Sequence, residues 1–364
     1  MEQVVQSVSN IDFIRNKYPK AVIENDTVKV YSDVKEEYRL IRKGVGVRNI
    51  SGSALIKLNG NETLDFLHRI STNAVKDLKE FNKINTLFTN DKGRFIDRAT
   101  LLRFSNYFIL VGSKGNESML QSWLERYIIM EDIKTEDVSS QFMALEILGP
   151  QAESYLTCIC GESINSLNDN NVVNADAEGL NFYLFKKKEK SGFDKIVLLA
   201  HIAVFERLIN YFIESKSVFD FGLVGEDAYN SVRIEEGIPE YPGEINDDYN
   251  PHEAGLIDEV SFTKGCYIGQ EVIARLDTYD KVQRILMGVI FENGIHPGVP
   301  MKISDAEKQD AGSVTSITHS ELLDKHIGLA YVRRKALENP EDLTAVDSDG
   351  KSYKIRVVQL PFAK

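Results

Sequence analysis

The stretch Lys264-Gly265-Cys266-Tyr267-Ile268-Gly269-Gln270-Glu271, running on into Val272-Ile273-Ala274-Arg275, decides how the rest of the chain is read. It gathers a thiol, two glycines, an amide, a carboxylate and two cations. Gly265 and Gly269 let a backbone turn tightly or approach a ligand closely. Lys264 and Arg275 are of the right charge to hold Cys266 as a thiolate if they fold against it. Gln270 offers a two-sided amide, and Glu271 stands four residues before Arg275, the spacing of an ion pair on a helix. The same pattern also describes a turn entering a structural element, with Cys266 as a small buried hydrophobe.

Downstream of this stretch the pattern changes. Leu286-Met287-Gly288-Val289-Ile290, Gly312-Ser313-Val314-Thr315-Ser316, Ile327-Gly328-Leu329-Ala330-Tyr331-Val332 and Ile355-Arg356-Val357-Val358 are short apolar runs punctuated by glycine. They predict a compact antiparallel β-barrel over residues 281–364. Upstream, residues 1–280 alternate strand and helix patterns and predict an α+β body. Ala54 to Leu58 reads as a strand, and Leu64, Leu67 and Ile70 share a helical face. Phe88 to Asp97 reads as a hairpin around Asn90-Asp91-Lys92-Gly93, which is turn chemistry between apolar flanks. The strand-turn-helix pattern at Leu58–Leu67 recurs at Leu148–Leu156, which suggests two related subdomains. Lys186 to Lys190 forms a basic hairpin tip, either a solvated turn or a contact for an anion. Pro239, Pro242, Gly243 and Pro251 impose an irregular segment ahead of the cysteine, of the kind that lines sites.

A chain of 364 residues exceeds what one core usually serves. Its net charge of -12 argues against broad nucleic-acid binding. Three cysteines (158, 160 and 266) are too few for a disulfide framework and suit a reducing compartment. Neither they nor the six histidines (His296 among them) fall at metal-ligand spacings, so no metal site is expected. Apolar runs such as Tyr107 to Val111 are strand-sized, and Met1 to Tyr18 lacks a sustained apolar core. These features predict a cytoplasmic protein without a membrane anchor.

Taken with Arg39 through Asn49-Ile50-Ser51, the Asn90 to Arg98 hairpin, Arg233-Ile234-Glu235-Glu236-Gly237, Pro251-His252-Glu253-Ala254-Gly255-Leu256 and Leu360-Pro361-Phe362, the cysteine stretch resembles the signature of the YgfZ-type folate-binding proteins. These are relatives of the glycine-cleavage T-protein (GcvT), an aminomethyltransferase. The resemblance covers nearly the whole chain. It implies an α+β folate-binding body around a central channel, followed by a C-terminal β-barrel. It further implies tetrahydrofolate or another reduced folate as cofactor. Cys266 and Asp97 would be the reacting groups, and Arg98, Lys190, Arg233, Glu235, Lys264, Tyr267, Gln270 and Glu271 would line the folate.

Two departures bear on activity. T-proteins carry a Gly-Gly-x-x-Asp-Asp hairpin with a catalytic aspartate beside the folate; here the stretch is Gly93-Arg94-Phe95-Ile96-Asp97-Arg98. Their pterin-clasping glutamate corresponds to Lys190, with Glu189 as a neighbour able to compensate. Lysine cannot accept hydrogen bonds as a carboxylate does. These changes argue against classical aminomethyl transfer. The resemblance instead implies a folate-binding protein that supports iron–sulfur cluster assembly or repair, with iron–sulfur proteins or assembly factors as partners. It would thereby support iron–sulfur enzymes that modify tRNA without binding nucleic acid itself. The alternative is a folate-dependent aminomethyltransferase or methyltransferase of the T-protein type.

Overall fold

The computed structural model describes residues 2–279, 281–292 and 298–362, with side chains from residue 10 onward; Met1 and His296 lie outside it. The chain forms two compact units, each made of separate segments: 1–63, 77–84 and 100–229 in the first, and 64–76, 85–99 and 230–364 in the second.

The first unit is built on a six-stranded sheet. Its order is Val172–Ala177, Leu180–Lys187, Lys195–His201, Phe142–Leu148, Val45–Asn49 and Phe221–Val224. All neighbours are antiparallel except the last pair. Strand alternation sorts side chains onto two faces. Ile196, Leu198 and Ala200 join Met143, Leu145 and Ile147 in a core closed by helices Ala152–Cys160 and Phe205–Glu214. Val197, Leu199 and Ala144 point the other way and meet Leu55, Leu102 and Ile109 of a second, five-stranded sheet. Because both faces are covered, strand Lys195–His201 is buried along almost its whole length.

In the second unit, strands Arg284–Phe291, Lys325–Arg333, Asp310–Ser320, Met301–Ser304, Thr344–Val346 and Ser352–Val358 close into a barrel. Closure leaves no edge strand open to another chain. Met287, Val289 and Phe291 fill its interior, while Leu286 and Ile290 face outward. Those outward residues, with Ile327, Leu329 and Tyr331, pack against Leu87, Phe95, Tyr249, Tyr267 and Ile273. The chain is therefore an α+β protein ending in a closed β-barrel. Among the described residues no helix is long and apolar enough to cross a membrane.

The hairpin at Asn90–Gly93 is anchored by close approach to the cysteine stretch. Asn90 Oδ1 accepts from the backbone N–H groups of Lys92 and Arg94, fixing the turn. Thr89 donates its hydroxyl to the Ile268 carbonyl at 2.7 Å. Gly269 has φ +84, and a Cβ there would lie 2.6 Å from the Asn90 carbonyl oxygen and 3.0 Å from the Gly93 Cα. A Cβ added at Gly265 would meet nothing within 4 Å among the described residues. The close-approach role read for both glycines thus belongs to Gly269 alone. Gly269→Ala should cost about 2 kcal/mol or more in urea unfolding, from both backbone strain and collision. Gly265→Ala should stay within about 0.5 kcal/mol of wild type. Equal costs at the two positions would refute this account of the packing.

Candidate functional site

Asp97 and Arg98 are successive residues of strand Phe95–Arg103 and are both buried. Asp97 is 0% exposed, and its Oδ1 accepts the backbone N–H of Arg98 at 2.8 Å. Arg98, which the resemblance places at the folate, is engaged with protein. Its Nε and Nη2 fork onto Glu259, the shortest contact being 2.6 Å, and Glu259 is itself only 8% exposed. A guanidinium taken out of water needs such a paired carboxylate.

Lys264 is turned inward. Its Nζ donates to the carbonyls of His68, Ser71 and Asn73. Helix Thr63–Ile70 ends at this point, and the ammonium satisfies carbonyls that the helix terminus leaves open. Burial lowers the Lys264 pKa to about 8. The ammonium is thus committed to carbonyls, where the sequence reading had it serving Cys266.

Cys266 is exposed. Tyr267 packs into the core beside the barrel, 7% exposed, and its hydroxyl is buried with no hydrogen bond among the described residues. Burial pushes its pKa up to about 12. Gln270 opens helix Gln270–Tyr279, whose Glu271 and Arg275 are exposed and form no ion pair with each other among the described residues.

Arg233 and Glu235, at the end of helix Glu226–Glu235, both reach strand Asp310–Ser320. Arg233 Nη2 donates to Ser316 Oγ at 2.8 Å and Nη1 to Glu244 at 3.2 Å. Ser320 Oγ donates to Glu235 at 2.5 Å. Both side chains were expected at the folate, and the contacts just described fasten helix to barrel.

In the first unit, Lys190 is exposed while its neighbour Glu189 is buried. Glu189 lies 3.4 Å from the Nζ of Lys195, which is 2% exposed and donates to the Tyr229 hydroxyl at 2.6 Å. Glu146 faces Lys195 at 3.6 Å and pairs with Arg48 at 2.9 Å. Arg48 lies 3.5 Å over the Tyr229 ring and 2.7 Å from Glu226. This buried network was not anticipated, because its members lie up to 181 residues apart and carry no local pattern.

Two predictions follow from these fastenings. Glu259→Gln leaves the Arg98 charge buried without its counter-charge and should cost about 3 kcal/mol, whereas the double change Arg98→Met with Glu259→Met should recover most of that loss. A double variant as unstable as Glu259→Gln would contradict the pairing. For Lys264, the folded pKa lies below the unfolded one. Between pH of about 8 and 10.5 the unfolded chain keeps a proton that the folded chain has lost, so stability rises with pH across that window. The unfolding free energy of wild type relative to Lys264→Met should therefore increase from pH 8 to 10.5; a constant difference would show that the ammonium is not desolvated.

Comparison with known proteins corrects the functional expectation. Residues 13–264 match the family model of the GCVT N-terminal domain, and residues 284–364 match the glycine cleavage T-protein C-terminal barrel domain. The aminomethyltransferase of Koribacter versatilis is 26% identical over 336 residues, spanning 90% of this chain and 87% of that protein. That of Geobacillus kaustophilus is 27% identical over 337 residues, spanning 91% of each. The crystal structure of the glycine cleavage system aminomethyltransferase T from Bartonella henselae shares the fold, with a TM-score of 0.83 at 20% identity over 97% of both chains. The expectations of a YgfZ-type protein of iron–sulfur assembly, of a link to tRNA modification, and of a chain unlike a classical aminomethyltransferase are overturned by these end-to-end matches to aminomethyltransferases. With both domains matched in order, the chain belongs to the GCVT family, carrying its N-terminal domain and its C-terminal barrel domain.

Proposed function

We propose that this chain is a folate-dependent aminomethyltransferase or methyltransferase of the glycine cleavage T-protein type, acting on tetrahydrofolate or a close derivative. The observation that carries the reading is Asp97, a carboxylate with no solvent exposure, which we assign as the counterpart of the family's catalytic aspartate. Carboxylates are seldom buried without a purpose. A reduced folate supplies the nitrogen that receives the one-carbon unit. Asp97 would accept a hydrogen bond from that nitrogen and hold its proton at a carboxylate oxygen. Tyr267 fits such a ligand too, since its buried hydroxyl has a donor and an acceptor to give.

The arginine at position 98 does not count against transfer, because Glu259 balances its charge locally. Cys266 remains in the proposal as an exposed thiol next to Tyr267, and we keep the division at 280/281 as the domain boundary. A cytoplasmic setting is part of the proposal and is supported by three free cysteines.

The test is turnover of tetrahydrofolate by the full chain with an amine or sulfonium one-carbon donor. Wild type should form a one-carbon folate in a donor-dependent way. Asp97→Asn should lower the rate by about 100-fold or more while keeping the unfolding midpoint. Absence of turnover with every donor, or full turnover by Asp97→Asn, would defeat the proposal.

A further inference from the structure

The second unit contains a cavity of about 400 Å³ whose charge runs against that of the chain. The protein carries a net charge of -12, yet Lys92, Arg94, Lys281, Arg284 and Arg333 line this cavity, with Glu253 as its one carboxylate among the described residues. Glu253 is buried and holds two of the guanidiniums in place. Arg94 Nη1 donates to it at 2.8 Å and Arg284 Nε at 3.0 Å. The Asp248 carbonyl takes a second bond from each, at 2.9 and 2.7 Å. Arg284 also lies 5.0 Å over the Tyr249 ring, which stacks on Tyr331 with centroids 3.5 Å apart.

Two guanidiniums are thus held side by side on rigid supports. Each has five N–H donors in a fixed plane. Among the described residues, the Nε and Nη2 of Arg94 and the Nη1 of Arg284 make no hydrogen bond. Arg333 has its own partner in Asp310, whose carboxyl it holds below the usual range. Lys92 and Lys281 are exposed and form no ion pair among the described residues. An unused Nε/Nη2 fork on Arg94 and a spare Nη1 on Arg284, ringed by further ammonium groups, match the charge and donor chemistry of a phosphate oxyanion. A simple solvated surface would not need two arginines anchored on a single buried carboxylate.

We propose that this cavity binds a phosphate-bearing small molecule, its phosphate seated on Arg94 and Arg284 and its charge complemented by Lys92 and Lys281. The site is independent of the transfer reaction, and its test reads binding alone. Pyrophosphate titrated calorimetrically into the full chain at low salt should show saturable binding at one site, weakening as salt is raised. The exposed pair Lys92→Ala and Lys281→Ala should keep the fold and weaken binding at least about tenfold. Arg284→Lys, which keeps the charge and loses the spare Nη1 donor, should do the same. Citrate, a comparable polyanion without phosphate, should bind at least about tenfold more weakly. Absence of saturable binding, unchanged affinity in the lysine double variant or in Arg284→Lys, or equal affinity for citrate would each overturn the assignment.

Discussion

The second unit depends on one steric constraint, the approach of the Asn90–Gly93 turn to the backbone at Gly269. No side chain fits between them, since even a methyl group at 269 would strike the Asn90 carbonyl oxygen. That contact seats the hairpin on the start of helix Gln270–Tyr279. From there the strand carries Phe95 into the core beside the barrel, where its N–H meets the Tyr249 carbonyl at 3.0 Å. Two residues on, the same strand delivers Asp97 to a position without water. The glycine is thus a condition for the carboxylate's placement although it touches no substrate.

The cations that a sequence reader assigns to ligands are mostly fasteners in the fold. Arg98 on Glu259, Arg233 on Glu244 and Ser316, and Lys264 on three carbonyls all hold one segment to another. Such pairs contribute little net stability over apolar substitutes, because desolvation offsets most of the attraction. What they supply is register: each charge is satisfied by its set of partners in one geometry. The guanidiniums at Arg94 and Arg284 differ in keeping donors to spare.

Much of the architecture was legible because it rests on local periodicity. Glycine-punctuated apolar runs at Leu286–Ile290 and Ile327–Val332 foretold a barrel, and Asn-Asp-Lys-Gly between apolar flanks foretold the hairpin. The importance of the cysteine stretch was legible as well, though Gly269 matters there for packing. What sequence could not give was partnership across distance. Nothing near Arg98 announces Glu259, 161 positions away, and nothing near Lys264 announces the carbonyls at the end of helix Thr63–Ile70. Substituted motif positions therefore looked like lost chemistry. At Arg98 the change is balanced locally, and at Lys190 the neighbouring Glu189 lies inside against Lys195.

The distance between Arg98 and Glu259 also sets an order of events during synthesis. At translation rates of about 5–20 residues per second, the hairpin waits roughly ten to thirty seconds for the segment that covers it. Over that interval Arg98 lacks its carboxylate, and Phe95 and Leu87 lack the outer face of a barrel not yet made. The nascent chain therefore presents an apolar hairpin with a charged neighbour until nearly its last hundred residues have emerged. Its burden on chaperones is written in the interleaving of its segments as much as in its composition.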